Sequence, residues 1–267
     1  MRIFLAEWRK LRRPTFFFGT LGSVVFVTGL VTSLLFLLID SETGNADRGN
    51  RITREMLQLP DGFTIGFNSA SGLLGLVALS VFAAQTAQEY TYGTLRNLLV
   101  RQPRRYRLLL GKYISMISFS LISVIVSAAT AVGLALALSG RAKVSTDAWM
   151  TSAGQTALTE TFINVFISTI GYGTIGMILG LIFRSPISSI SIGTAYMLVV
   201  ESIVIVAWQP VSNWLPGNLL GIVAAGGSPI GIEDVPTYSQ ALLRVGIFLM
   251  LLALGTATLF KRRDVAN

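Results

Sequence analysis

Three ionisable side chains fall inside stretches that are otherwise apolar: Glu160, Glu201 and Arg244, with the polar Asn68 at a similar level. A charge in hydrocarbon is costly, and it is tolerated where it meets an opposite charge, faces a cavity or reaches the headgroup layer. If the stretches around them are membrane spans, the two that hold Glu160 and Arg244 run inward and the one that holds Glu201 runs outward. At 1.5 Å per residue each group then lies within roughly 10 Å of the outer end of its span. Groups of both signs at one depth predict an intramembrane polar cluster of Glu160, Glu201, Arg244 and Asn68. The alternative is that Arg244 and Glu160 snorkel separately to the outer interface.

Other chemistry is excluded by what the chain lacks. It has no histidine and no cysteine. A Ser–His pair, a zinc site built on H-E-x-x-H and a thiolate metal site are therefore impossible within it. An aspartyl pair would need two carboxylates sharing one intramembrane site, yet Asp40, Asp47, Asp61, Asp147, Asp234 and Asp264 all fall in loops or tails. No G-x-x-x-x-G-K-[ST] motif is present, and Gly111-Lys112 lacks the upstream glycine that a phosphate loop needs. The chain is expected to be no enzyme, with no metal or cofactor of its own.

The elements that would position these residues are six apolar stretches: 16–39, 64–87, 114–138, 156–183, 187–208 and 241–260. About 20 apolar residues cross a hydrocarbon core of about 30 Å. Composition agrees, at 52% hydrophobic and 13% charged residues. The fold class expected is all-α: a polytopic membrane protein with six transmembrane helices forming one domain over 1–267. The first stretch is too long for a signal-peptide core, which has about 7–15 residues, and it ends in Leu37-Leu38-Ile39-Asp40 without a small-x-small site. It reads as a retained span.

The net charge of +8 lies mostly on one side of these spans. Arg2, Arg9, Lys10, Arg12 and Arg13 precede the first, and Arg96, Arg101, Arg104, Arg105, Arg107 and Lys112 follow the second. Arg184 follows the fourth, and Lys261, Arg262 and Arg263 follow the sixth. The other side holds Arg48, Arg51, Arg54, Arg141 and Lys143. Because positive loops stay inside, a multi-pass protein of the cell membrane with both termini cytoplasmic is expected. Charge placed beside spans is explained by lipid and topology, so no nucleic-acid partner is expected.

Residues 1–13 read as an interfacial helix, with Phe4, Trp8 and Leu11 at helical spacing and Arg9, Lys10, Arg12 and Arg13 mostly on other faces. Residues 209–240 contain no Lys or Arg and are apolar at first, broken by Pro216, Gly217 and Gly221. They predict short re-entrant or interfacial helices packed against the outer bundle. Gly171, Gly173, Gly176 and Gly180 in the fourth stretch include a G-x-x-x-G pair, which favours close helix packing.

The most specific segment follows the second stretch: Gln88-Glu89-Tyr90-Thr91-Tyr92-Gly93-Thr94-Leu95-Arg96-Asn97-Leu98-Leu99, then Pro103 and Gly111-Lys112. Gly93 permits a turn, and 94–100 can form a short amphipathic helix suited to a partner's groove. This segment resembles the membrane subunits of ABC transporters of the type-2 exporter family, in which a Glu, a Gly-Thr-Leu-Arg-like run and a Gly-Lys follow the second of six spans. The likeness covers about 25 residues in motif and the whole chain in architecture. It implies that Glu89, Gly93, Thr94, Leu95 and Arg96 within a cytoplasmic coupling loop (88–112) contact a separate ABC ATPase subunit, which would carry ATP and magnesium. It also implies a second permease subunit, the same or different, facing this one across a translocation path in the membrane lipid. An ion-gradient-driven secondary transporter and a non-transporting scaffold or sensor subunit are the competing functions.

Overall fold

The computed structural model describes residues 2–39, 52–94, 98, 100, 105–227 and 236–262. No strand occurs among the described residues, and six helices are long and apolar enough to cross a membrane: Pro14–Leu37, Gly62–Thr91, Tyr106–Ser139, Ser152–Phe183, Pro186–Ala207 and Tyr238–Thr258. All six coincide with the stretches read from hydropathy, so the chain is a multi-pass membrane protein. An even number of crossings returns the chain to the end at which it began.

The second and fourth spans form the centre. They are buried over 56% and 67% of their apolar windows, against 17–28% for the other four. What lets them meet is the absence of side chains: a Cβ on Gly176 would stand 2.1 Å from the Leu79 carbonyl oxygen, and one on Gly173 would stand 2.2 Å from the Phe82 ring. The glycines of the fourth span are thus packing residues within the bundle. The first span packs on the third, where Thr28 and Ser127 join their hydroxyls at 2.8 Å.

Turns at the span ends follow local rules. The fourth span ends at Phe183, Arg184 takes the left-handed conformation with φ 55°, and Ser185 caps the fifth span by accepting from the Ser188 amide. Pro186 then occupies the first helical position, where its missing N–H costs nothing. The third helix, Arg105–Ser139, starts well before residue 114. Residues 88–91 likewise still belong to the second span's helix. The expected loop 88–112 is therefore helical at both ends, because backbone hydrogen bonding continues past the hydrocarbon boundary.

The expected N-terminal helix is present as Arg2–Leu11, and the expected outer helices are present as Gln209–Ser212 and Pro216–Ala224. The second of these is no surface feature, since Leu219, Leu220 and Val223 are buried against the fourth and sixth spans.

Candidate functional site

At the basic end of the bundle, four charges that are distant in sequence come together. Glu89 sits in the last turns of the second span and Lys112 in the early turns of the third, while Glu7 and Lys10 lie on the N-terminal helix. The Lys112 Nζ donates to Glu7 Oε2 at 2.8 Å, to Glu89 Oε1 at 2.7 Å and to the Gln85 carbonyl at 3.0 Å. An ammonium has three donors, and all three are used. Lys10 Nζ donates to Glu7 Oε1 at 2.7 Å and to Glu89 Oε1 at 2.8 Å. The side chains of Lys112, Glu7 and Glu89 are 2%, 4% and 7% exposed, and Lys10 forms the solvent side at 34%.

Two carboxylates and two ammoniums balance, which makes burial tolerable. For Glu7, burial is the largest influence and pushes its carboxyl up. The Lys112 charge and the hydrogen bonds of Lys10 and Lys112 outweigh it and hold the group below its ordinary 4.5. For Lys10, burial pushes down, and Glu89 and Glu7 together carry the ammonium above its ordinary 10.5.

Packing brings the N-terminal helix within reach. A Cβ on Gly111 would meet Ile3 Cγ2 at 2.6 Å, so glycine lets the two helices touch. Ser115 Oγ donates to the Phe4 carbonyl at 3.2 Å, Phe4 stacks on Trp8, and Leu11 is buried with Val81 and Phe119. Glu89 and the Gly111-Lys112 pair are thus one physical unit, clamping the N-terminal helix to two spans.

Beyond this clamp, Gly93 is exposed and has φ 63°, and it terminates the helix by donating to the Tyr90 carbonyl. Thr94 Oγ1 donates to the Glu89 carbonyl at 3.5 Å. A polar cleft of about 210 Å³ opens between Lys10 and Arg13 on one side and Gln88, Tyr92 and Thr94 on the other. Leu95 and Arg96, and most of the amphipathic helix expected there, lie outside the described residues.

The outer cluster is assembled differently from the one expected. Glu201 is 3% exposed, directly after a π-helical turn at Tyr196–Val200. Its two oxygens accept from the amides of Gly217 at 3.0 Å and Asn218 at 2.9 Å. These are the free N–H groups of the first turn of the helix Pro216–Ala224, where the helix dipole also favours an anion. Tyr172 and Ser168 fix the same helix by donating to the Gly217 and Leu220 carbonyls.

Arg244 instead donates to the Asn213 carbonyl at 3.0 Å and stands 4.5 Å from the Trp214 ring centre. Glu160 is exposed, and Asn68 is half-buried in the short helix Ile65–Ser69. Among the described residues no ion pair joins Arg244 to either glutamate, and Asn68 makes no side-chain hydrogen bond to any of the three. Glu201 and Arg244 each found a backbone or aromatic partner on the segment before the sixth span, and Glu160 is exposed, so no cluster was needed.

Residues 48–266 match the model of a family described as a protein of unknown function (DUF2705). The chain is also 25% identical over 210 residues to the uncharacterized protein YhcI of Bacillus subtilis (strain 168). That alignment covers 73% of this chain and 66% of the relative, so the chain spans just under two thirds of that protein's length. Glu89 and Lys112 fall within the family match, and Glu7 and Lys10 precede it.

Proposed function

We propose that this chain, which belongs to the family described as a protein of unknown function (DUF2705), is the membrane permease subunit of an ATP-driven ABC exporter. It works as a dimer, with itself or a similar subunit, in the cell membrane with both termini cytoplasmic. A separate cytoplasmic ATPase subunit binds and hydrolyses ATP. The observation that carries this reading is the clamp: Glu89 and Lys112, both from the motif that resembles type-2 exporters, meet at 2.7 Å and hold the N-terminal helix against the second and third spans.

Such a joint transmits force. The segment that starts at Gly93 is the covalent link between those two spans, so a partner pulling on it moves both spans and the N-terminal helix together. Nucleotide-driven closure of the ATPase would then shift the bundle between inward- and outward-facing populations. A secondary transporter is the second reading, favoured by one feature, the buried Glu201 beside a π-helical turn in a span.

The test is reconstitution in vesicles with a candidate ABC ATPase subunit, comparing wild type with Gly93→Val and Arg96→Glu. Neither substitution lies within a span, so both variants should insert. Export and cargo-stimulated ATP hydrolysis should fall together. Full coupled activity in both variants would reduce the segment to a tether, and export that stops with a protonophore but not with ATP depletion would favour the gradient-driven reading.

A further inference from the structure

An apolar groove of about 480 Å³ lies among the third, fourth and sixth spans, within the range of about 300–1,000 Å³ typical of small-molecule sites. It runs from Leu242 beside the outer helix to Ala257 near the basic end, roughly 22 Å at 1.5 Å per residue. That exceeds the roughly 15 Å depth of one leaflet's hydrocarbon. Leu110 and Met250 on its rim are 58% and 57% exposed, so the groove opens sideways to the bilayer. In its wall Tyr113 and Thr174 join their hydroxyls at 2.7 Å, and Thr174 donates to the Ile170 carbonyl. The remaining lining is mostly aliphatic and suits a hydrocarbon chain.

The charge pattern selects the head of that chain. Arg105 and Arg107 flank Tyr106 at one end of the groove, and Lys261 and Arg262 follow Ala257 in the same helix. Neither Arg105–Ser139 nor Tyr238–Arg262 contains a carboxylate. Arg107 is exposed and bonded to nothing among the described residues.

We propose that the groove binds an anionic glycerophospholipid, with one acyl chain between the third, fourth and sixth spans and the headgroup phosphate at the basic end. Basic positions between helices at a membrane surface attract such headgroups, and an apolar slot open to the bilayer is filled by acyl chains. The proposal is independent of the transport reading, since it concerns lipid held by this chain alone.

The experiment is native mass spectrometry of the full-length chain in detergent with equal phosphatidylglycerol and phosphatidylcholine of identical acyl chains. Retention of one phosphatidylglycerol per chain is expected, favoured about five-fold for each basic residue engaged. Gly246→Trp enters the groove without a clash, because nothing lies within 4 Å of a Cβ there, and it should remove most of that adduct. Leu110→Trp should do the same from the opposite wall, with melting temperature as the control for folding. Arg107→Glu should narrow the preference for phosphatidylglycerol while leaving apolar occupancy.

Equal retention of the two lipids would overturn the headgroup assignment. Undiminished adduct in both tryptophan variants would overturn the groove. Conversion of a dimer to monomers by Gly246→Trp, with lipid counts unchanged, would show a second copy seated there instead.

Discussion

The two ends of this bundle satisfy buried carboxylates by different means. At the basic end, Glu7 and Glu89 share two lysines, Lys10 from Glu7's own helix and Lys112 from the third span, the latter using all three of its donors. At the outer end, Glu201 meets no cation and is held by two amides at a helix N-terminus. An ion pair fixes helices that are already complete, and removing one member leaves the others charged and buried. A carboxylate on a helix start fixes a short helix that could not stand alone, since nine residues are too few for independent stability in water. The first arrangement is a joint between long elements, and the second anchors a short helix packed against the spans.

The largest effect that separates them should follow Lys112→Met. Glu7 and Glu89 would be left with Lys10 alone, and the Gln85 carbonyl would lose its donor. A loss of about 3–5 kcal/mol is expected for breaking a buried pair from one side. Thermal unfolding in detergent measures it, and protease access to the N-terminal helix reports the release. Adding Glu89→Gln should recover part of the loss, because one stranded charge is gone. Equal and additive losses would mean the four residues do not act as one network.

Glu201→Gln ranks next. The amide side chain keeps one acceptor oxygen and brings an NH₂ against a backbone N–H, so one of the two amides of Gly217 and Asn218 is orphaned. About 1–3 kcal/mol is expected. Gly217→Ala should act in the same direction, as a Cβ there would stand 2.5 Å from Glu201 Oε2. If Lys112→Met and Glu201→Gln cost the same and both release the N-terminal helix, the contrast between joint and anchored helix is lost.

A pH profile sharpens the inner half. Glu7 is held below its ordinary 4.5 when folded, so its contribution is present above that value and is lost as pH falls through the folded value. Lys10 is carried above 10.5, so its contribution is complete below 10.5 and is lost as pH rises through the folded value. Release of the N-terminal helix should therefore stay flat from about 5 to 10 and rise only in acid below 4.5 and in base above 10.5. A transition near neutrality would contradict the pairing.

Much of this was legible in the sequence, and the rest had physical reasons to be hidden. Hydropathy located all six spans because burial in lipid acts on whole windows of about 20 residues. Pro216 as a helix start was legible too, although it read as a break. Glu7 went unnoticed among arginines, yet it stands three residues after Phe4 and four before Leu11, on the apolar stripe of its helix. Lys112 likewise stands four residues from each of Leu108 and Met116, both buried. A charge on an apolar stripe signals a buried partner, but the identity of that partner depends on contacts 23 and 105 residues away, which no local pattern contains. The outer cluster misled for the same reason: depth alone paired Arg244 with the glutamates, whereas Arg244 and Glu201 are satisfied by backbone groups that carry no letter in the sequence and Glu160 is exposed.

Glu160 gives the smallest effect and the cleanest check of that last point. It is exposed in the first third of the fourth span and has no bonded partner among the described residues. Glu160→Gln should therefore change stability by no more than about 0.5 kcal/mol. Arg244→Gln should cost more, about 1 kcal/mol, through the Asn213 carbonyl and the Trp214 face. The double variant should equal the sum of the singles to within about 0.5 kcal/mol, as expected for side chains that share no partner. A coupling above about 1 kcal/mol would place Glu160 against Arg244, and the outer end would then bury charge by the same rule as the inner one.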